Sequence, residues 1–356
     1  MRRVFGLILL GLGVFAAAVA ILLPNYVYPK VAKVPLDQNS TSVLEGPAGT
    51  VLAVTKKDGV PTPEIRKDTQ LTAVAKVQAN FSVPEMRPDT DVAVWLLAVK
   101  VTDDKDNTVV NASKRQVCFD RRTAEGYRGQ QDAGRCSPSS TFTAEVDTTK
   151  EIKEGKDPEE KIDEGPQPGL QFKFPFGTEK KDYSVYQDTV NKAMTAKFIS
   201  TDEVNGVDVY KFEQDVPDTQ IAEQDVPGSL INEPANTVHV QQYFKGTSTM
   251  WVEPVTGVIV KQQQYQHQEL RKPGELVGTT VFDGTLTFNN ATIESLVKQA
   301  GENKGKLELL TSTGPISLGV GGGLMILIGA LLVLRGRRAK QSPPDDQTAP
   351  QHALAR

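Results

Sequence analysis

Two long uncharged stretches, one at each end of the chain, limit what it can fold into more than any other feature. Val4 to Leu23 follows Met1-Arg2-Arg3 and carries no charge over twenty residues. At about 1.5 Å per residue that run crosses a bilayer core of about 30 Å. Ile316 to Leu334 is a second uncharged run, followed at once by Arg335, Arg337, Arg338 and Lys340. Both basic flanks lie at the outer ends, so the positive-inside rule predicts a two-pass cell-membrane protein with both termini cytoplasmic and everything between them outside. The expected order is a membrane anchor at 1–24, an extracytoplasmic domain at 25–314, a transmembrane helix at 315–335 and a cytoplasmic tail at 336–356, Pro-rich, polar and disordered. The Arg pair and Ala16-Ala17-Ala18-Val19-Ala20 also satisfy the pattern of a cleavable signal peptide, but the apolar run is longer than the usual signal core, which favours an uncleaved anchor. In the second segment Gly319 and Gly323 have the spacing that lets another helix approach closely.

Of the 40 Lys and Arg, seven lie outside residues 25–314, as do two of the 44 acids, so the domain between the anchors holds 33 basic against 42 acidic residues, a net charge of −9. Such a domain repels nucleic acid, and no basic groove is visible in it. Its two cysteines, Cys118 and Cys136, read as one disulfide in an oxidising compartment. Two free thiols or half of a metal site are the alternatives, although further metal ligands are missing.

Short apolar runs divided by turn residues predict a mainly β domain, an antiparallel half-barrel or barrel-like structure between two transmembrane helices. Asp91 to Val99 is a continuous apolar run, and Thr108 to Val117 returns across the turn Asp103-Asp104-Lys105-Asp106-Asn107. Further strands are predicted at 48–54, 71–79, 140–147, 194–202, 206–214, 237–245, 249–253, 257–268 and 277–288. Asn205-Gly206 is the strongest hairpin signal. Residues 150–166 mix charge with Gly and Pro and read as a solvated loop. The repeated EQDVP at 213–217 and 223–227 reads as a local duplication in a Pro-punctuated loop. Residues 290–310 place Ile293, Leu296, Val297 and Ala300 at helical spacing, as in a helix packed on the sheet.

Motifs for catalysis are missing: there is no GxSxG, HExxH, P-loop or GxGxxG, so the chain is expected not to be an enzyme. No cofactor and no metal are called for. The domain holds only His239 and His267, and both are expected to face solvent.

The stretch WVEPVTGVIVKQQQYQHQELR, Trp251 to Arg271, poses the central question. Pro254 and Gly257 predict a hairpin turn, with Trp251 and the valines on its inner face. Beyond Val260, Gln262, Gln264, Gln266 and Gln268 alternate with Lys261, Gln263, Tyr265, His267 and Glu269. Neither face suits a dry core. The strand lies either at a wet edge of the sheet or with one face lining a hydrated cavity.

The basic start, the anchor ending near Pro24, Tyr210-Lys211-Phe212 leading to Val216-Pro217, the Trp251-Val252-Glu253-Pro254-Val255-Thr256-Gly257 hairpin and the Gly-rich terminal anchor together resemble the actinobacterial PorA family, also described as a domain of unknown function. The resemblance covers nearly the whole chain and marks the fold rather than any catalytic residue. It implies an elongated β-barrel-like ectodomain with lipid-sized cavities and an association with lipoglycan assembly. The function expected on these grounds is binding of a phospholipid or glycolipid in a sheet cavity in support of envelope assembly. A scaffold contacting envelope-biosynthesis membrane proteins is the alternative. A pore-forming porin is least favoured, because the predicted strands are short for a barrel and the helical anchors superfluous to one. The aromatic residues expected to face a ligand are Trp95, Phe172, Phe174, Tyr243 and Trp251.

Overall fold

Alternation of side chains and turn chemistry build one antiparallel sheet. The computed structural model describes residues 2–58, 60–87, 90–132, 134–146 and 159–338. Twelve strands succeed one another: β1 (Asn39–Lys57), β2 (Val60–Ala79), β3 (Val92–Asp103), β4 (Thr108–Asp120), β5 (Phe142–Val146), β6 (Glu159–Glu164), β7 (Tyr183–Gln187), β8 (Lys192–Val204), β9 (Val207–Pro227), β10 (Thr237–Val252), β11 (Ile259–Arg271) and β12 (Thr279–Phe288). Their order in the sheet is β6-β5-β4-β3-β2-β1-β12-β11-β10-β9-β8-β7. The two edge strands β6 and β7 are neighbours in sequence, so the chain runs out to one edge and restarts at the other.

Strand lengths differ from the sequence expectation. β1, β2 and β9 contain 19, 20 and 21 residues, and the strands predicted at 237–245 and 249–253 are one strand, β10. The EQDVP repeats lie inside β9, not in a loop. Proline cannot donate to the ladder, and Pro217 is accommodated because the register with β10 shifts between Phe244 and Gly246, opposite Val216 and Thr219. Of the 150–166 loop, residues 159–164 form an edge strand on β5, and residues 150–158 lie outside the described residues, as does the tail from residue 339. Asn205-Gly206 makes the predicted turn, with φ of 49° and 80° at the two residues and Val204 paired to Val207.

The sheet curls into a half-barrel, and the connector from β6 to β7 spans its concave side. Gln167 N–H donates to Tyr127 O (2.8 Å), Gly126 N–H to Gly169 O (2.9 Å) and Gln171 N–H to Ala124 O (2.8 Å), all beyond the end of β4. Leu170 N–H donates to Ser184 O in β7 (2.8 Å), and Phe174 N–H and Thr178 N–H reach Gly257 O (2.8 Å) and Pro254 O (2.7 Å) in the β10–β11 turn. Strands far apart in the sheet order are thereby tied to one segment. Phe172 packs with Trp95 and Phe119 from β3 and β4, ring centres 5.3 and 5.6 Å away. Two residues on, Phe174 packs with Phe212 of β9 (4.6 Å) and Tyr183 of β7 (5.3 Å). Cys118 and Cys136 are disulfide-bonded, with Cα atoms 5.9 Å apart, beside the Trp95 cluster. On the convex side α3 (Asn290–Glu308) sets Ile293, Leu296, Val297 and Ala300 against Val209, Trp251 and Val260.

The terminal helices form a separate unit, Met1–Val31 with Gly305–Arg356, beside Ala32–Lys304. α1 (Arg2–Leu22) continues through a π-helical turn into α2 (Tyr28–Val31), past the expected boundary at residue 24, and α4 (Gly314–Arg338) follows α3 through a second π-helical turn. Both helical stretches are long and apolar enough to be candidate membrane spans. Their seam is built from small residues, but not from the pair the sequence suggested: a β-carbon at Gly13 would lie 2.7 Å from the Gly322 carbonyl oxygen and one at Gly329 the same distance from that of Gly6, whereas Gly319 and Gly323 have nothing within 4 Å. Pairing Gly6 with Gly329 and Gly13 with Gly322 makes α1 and α4 antiparallel.

Two outcomes follow from this packing. Gly322→Leu overpacks the seam and is expected to destabilise the helical unit by about 1–3 kcal/mol, while Gly323→Leu, one residue on, leaves it unchanged. Thermal unfolding of the full chain in detergent, followed by helical circular dichroism, distinguishes them.

Candidate functional site

The polar strand is not at an edge. β11 lies between β10 and β12 in the interior of the sheet, so its hydrophilic faces need another cause. Gln262 is directly opposite Met250, which packs with Phe174, and Gln264 is opposite Leu286, which packs with Leu44 and Leu71. Gln262, Gln264, Gln266 and Gln268 therefore share the concave face with the apolar clusters, yet they stay half-buried instead of packed. Along one strand these four side chains extend over about 20 Å, at about 7 Å intervals. Gln266 is flanked by Gly246 on one neighbouring strand and Gly284 on the other, so neither flanking position carries a side chain. Gln268 accepts from Gln242 Nε2 (2.8 Å), and Gln262 donates to Ser248 Oγ (3.3 Å). The result is a column of neutral amides, each with donors and an acceptor to offer, along the inside of a curled sheet.

The opposite face of β11 is an ionic ladder. Arg271 holds Asp218 through two hydrogen bonds (2.6 and 2.9 Å) and Glu269 through a third (2.9 Å). His267 lies between Glu269 (2.9 Å) and Asp283 (3.0 Å). It is therefore a packed member of this ladder, with its side chain only 13% exposed, and does not face solvent as the sequence suggested. His239 does, beside Asp225 at 2.9 Å. Burial pushes the Glu269 carboxyl up, but hydrogen bonds from His267, Arg271 and Gly278 N–H outweigh it and hold the group below the ordinary carboxylate range. Among the described residues no group of three or more His, Cys, Asp or Glu could hold a metal ion.

The five aromatic residues singled out in the sequence do not converge. Trp95, Phe172 and Phe174 belong to the clusters under the connector. Tyr243 and Trp251 alternate with the inner residues of β10 and so lie on the convex face. There Tyr243 stacks against the Arg271 guanidinium (4.1 Å), and Trp251 packs with α3 while its Nε1 donates to Asp202 (2.8 Å). The turn before β11 is the predicted hairpin, but its inner face carries Met250 and Val252, not Trp251. Glu253, fully buried, fixes this turn by accepting from Val255 N–H (3.1 Å), Thr256 N–H (2.8 Å) and Thr256 Oγ1 (2.6 Å).

Two cations near the connector gave no signal in the sequence. Arg115, from β4, donates through Nη1 to Gln167 Oε1 (2.9 Å) and Gln171 Oε1 (2.5 Å), between the rings of Phe172 and Tyr186. Burial pushes its guanidinium pKa down. Lys173, with Nζ 3.3 Å from the centre of the Phe176 ring, is lowered to about 7 by burial, against an opposing influence of Glu253.

The sequence profile described as Porin PorA matches residues 5–331. The chain belongs to the porin PorA family. Two relatives carry that same name. One, from Corynebacterium resistens, is 24% identical over 96% of this chain and 99% of its own length. The other, from Corynebacterium amycolatum, is 23% identical over 73% of this chain and 76% of its own. These names overturn the expectation of a lipid-binding protein of envelope assembly, which had ranked a porin last. One of the two physical grounds for that ranking also fails, because β1, β2 and β9 are long where short strands were predicted.

Glu269→Gln removes a carboxylate whose pKa is lower folded than unfolded. Its stabilisation is complete above the unfolded value of about 4.3 and is lost as pH falls through the folded one. The variant is expected to be less stable than the native protein by about 1–3 kcal/mol at pH 7, with the difference vanishing in strong acid. Denaturant unfolding at the two pH values checks it.

Proposed function

We propose that this chain is a membrane-tethered porin in which small polar solutes move along the concave face of the sheet. The single observation that carries the reading is the amide column of β11. Four successive inward side chains on an interior strand are neutral, polar and not packed, where a strand serving only stability would bury apolar ones. Weak contacts offered at several sites suit passage, because a solute must leave each site as readily as it enters. The names of the relatives support the same reading.

The membrane hold falls to the helices. A barrel embedded in lipid needs an apolar belt on its outer surface. Among the described residues of the sheet and its turns, the exposed large apolar side chains form no belt: Val60, Phe81, Ile199 and Tyr265 are scattered singly, and Leu276 and Val277 are one adjacent pair in a turn. The paired terminal helices cross the bilayer in this account.

Planar-bilayer recording with the full chain tests the proposal. The native protein is expected to give discrete conductance steps, and Gln264→Leu with Gln266→Leu to lower the step size to less than half. Gln263→Leu, on the convex face, should leave it unchanged. No conductance from the native protein, or equal loss from the convex-face variant, would refute the reading.

A further inference from the structure

Among the well-buried cations of the sheet, Arg115 differs in having no carboxylate hydrogen-bonded to it. Arg271, 7% exposed, has Asp218 and Glu269. Arg66 has Glu64, Asp103 and Asp106 at 2.8 to 3.0 Å. Arg115 is 9% exposed, and among the described residues the acid that acts on it, Asp188, does so through space and not through a hydrogen bond. Its two hydrogen bonds go to the amide oxygens of Gln167 and Gln171, which orient the guanidinium without neutralising it. The Nε atom is buried and has no hydrogen-bond partner at all. Burial outweighs the influence of Asp188, so the charge is left under-compensated, which is costly in the interior of a protein, as is an unsatisfied charged donor. In a domain with 42 acidic residues, an acid could readily have been placed there.

We propose that the Arg115 guanidinium, held by Gln167 and Gln171 between the rings of Phe172 and Tyr186, is a binding site for a small oxyanion of the carboxylate or phosphate class. Arginine is the side chain suited to this: its planar fork matches two oxygens of one anion, and its charge is retained on burial. Nη1 is occupied by the two glutamines and Nε is closed off from solvent, so a ligand approaches from the Nη2 side of the fork. The flanking rings keep the site dry enough for a charge-assisted hydrogen bond to be strong. Arg115 lies on the inner face of β4, directly opposite Leu97 and Thr143 on the adjoining strands, so the site belongs to the concave side. The assignment rests on the porin reading for its purpose, since it names a class of solute that the inner face would hold. Equilibrium binding, however, is read independently of conductance.

The test is thermal unfolding of the full chain in detergent, with inorganic phosphate titrated against chloride at matched ionic strength. Native protein is expected to show a saturable rise in melting temperature of about 2–4 °C. Gln167→Glu supplies a carboxylate to Arg115 from within the chain, and the amide donor it removes meets only the Thr143 hydroxyl, which can donate in turn. It should fold, melt no lower than the native protein in chloride, and lose the response to phosphate. Absence of the rise in native protein overturns the proposal. So does its persistence in the variant, or failure of the variant to fold, since a carboxylate set against a buried cation stabilises only if that charge is under-compensated.

Discussion

The backbone hydrogen bonds of the segment from Gln167 to Thr178 hold the rest of the architecture together. A twelve-stranded open sheet has two edges and no intrinsic reason to stay curled. This segment donates to or accepts from the end of β4, β7 and the β10–β11 turn within a dozen residues. It is irregular, so its peptide groups find partners in other elements instead of in a ladder of its own, which satisfies them without a second sheet. Phe172 and Phe174 point into two different aromatic clusters from positions two residues apart, so the same short stretch joins both arms of the sheet through their apolar packing.

The wet interior follows from that closure. Apolar clusters gather where the arms meet the connector and along the β1–β2–β12 surface, where Leu44, Leu71 and Leu286 pack. Between them the inner side chains of β11 are only half-buried, and they satisfy themselves with their neighbours Gln242 and Ser248 or with water. Glutamine meets that demand without a net charge. The convex face solves a different problem: its ion pairs and α3 cover the outside of the same strands, so the two polar faces of β11 have separate causes.

Much of this was legible in the sequence because it is local. The Asn205-Gly206 turn, the Pro254–Gly257 hairpin, the helix through Ile293 and Ala300, the cysteine pair and the apolar ends each announce themselves within a few residues. The polarity of β11 was legible too, but not its place in the sheet, since strand order is set by pairing between distant segments. Strand lengths were underestimated where proline interrupts them: Pro47, Pro61, Pro63 and Pro217 lie inside strands whose irregular registers or flanks tolerate a missing N–H. The connector was the least legible. Gln167 and Gln171 look like any loop glutamines, and nothing within their neighbourhood in sequence points to Arg115, more than fifty residues away. Likewise Gly13 and Gly322 meet only because the two chain ends pair, whereas Gly319 and Gly323 had the familiar spacing and no neighbour.

The central claim is that solutes travel past the inner amides of β11. Its most direct test is a cysteine placed at Gln266, with the native disulfide intact, and a charged, membrane-impermeant thiol reagent added during bilayer recording. The account predicts a stepwise fall in current on reaction that persists after the reagent is washed out and is reversed by a reductant mild enough to spare the buried Cys118–Cys136 bond. Full labelling of residue 266 with the current unchanged would contradict it, and would place the path of solutes elsewhere than along the sheet.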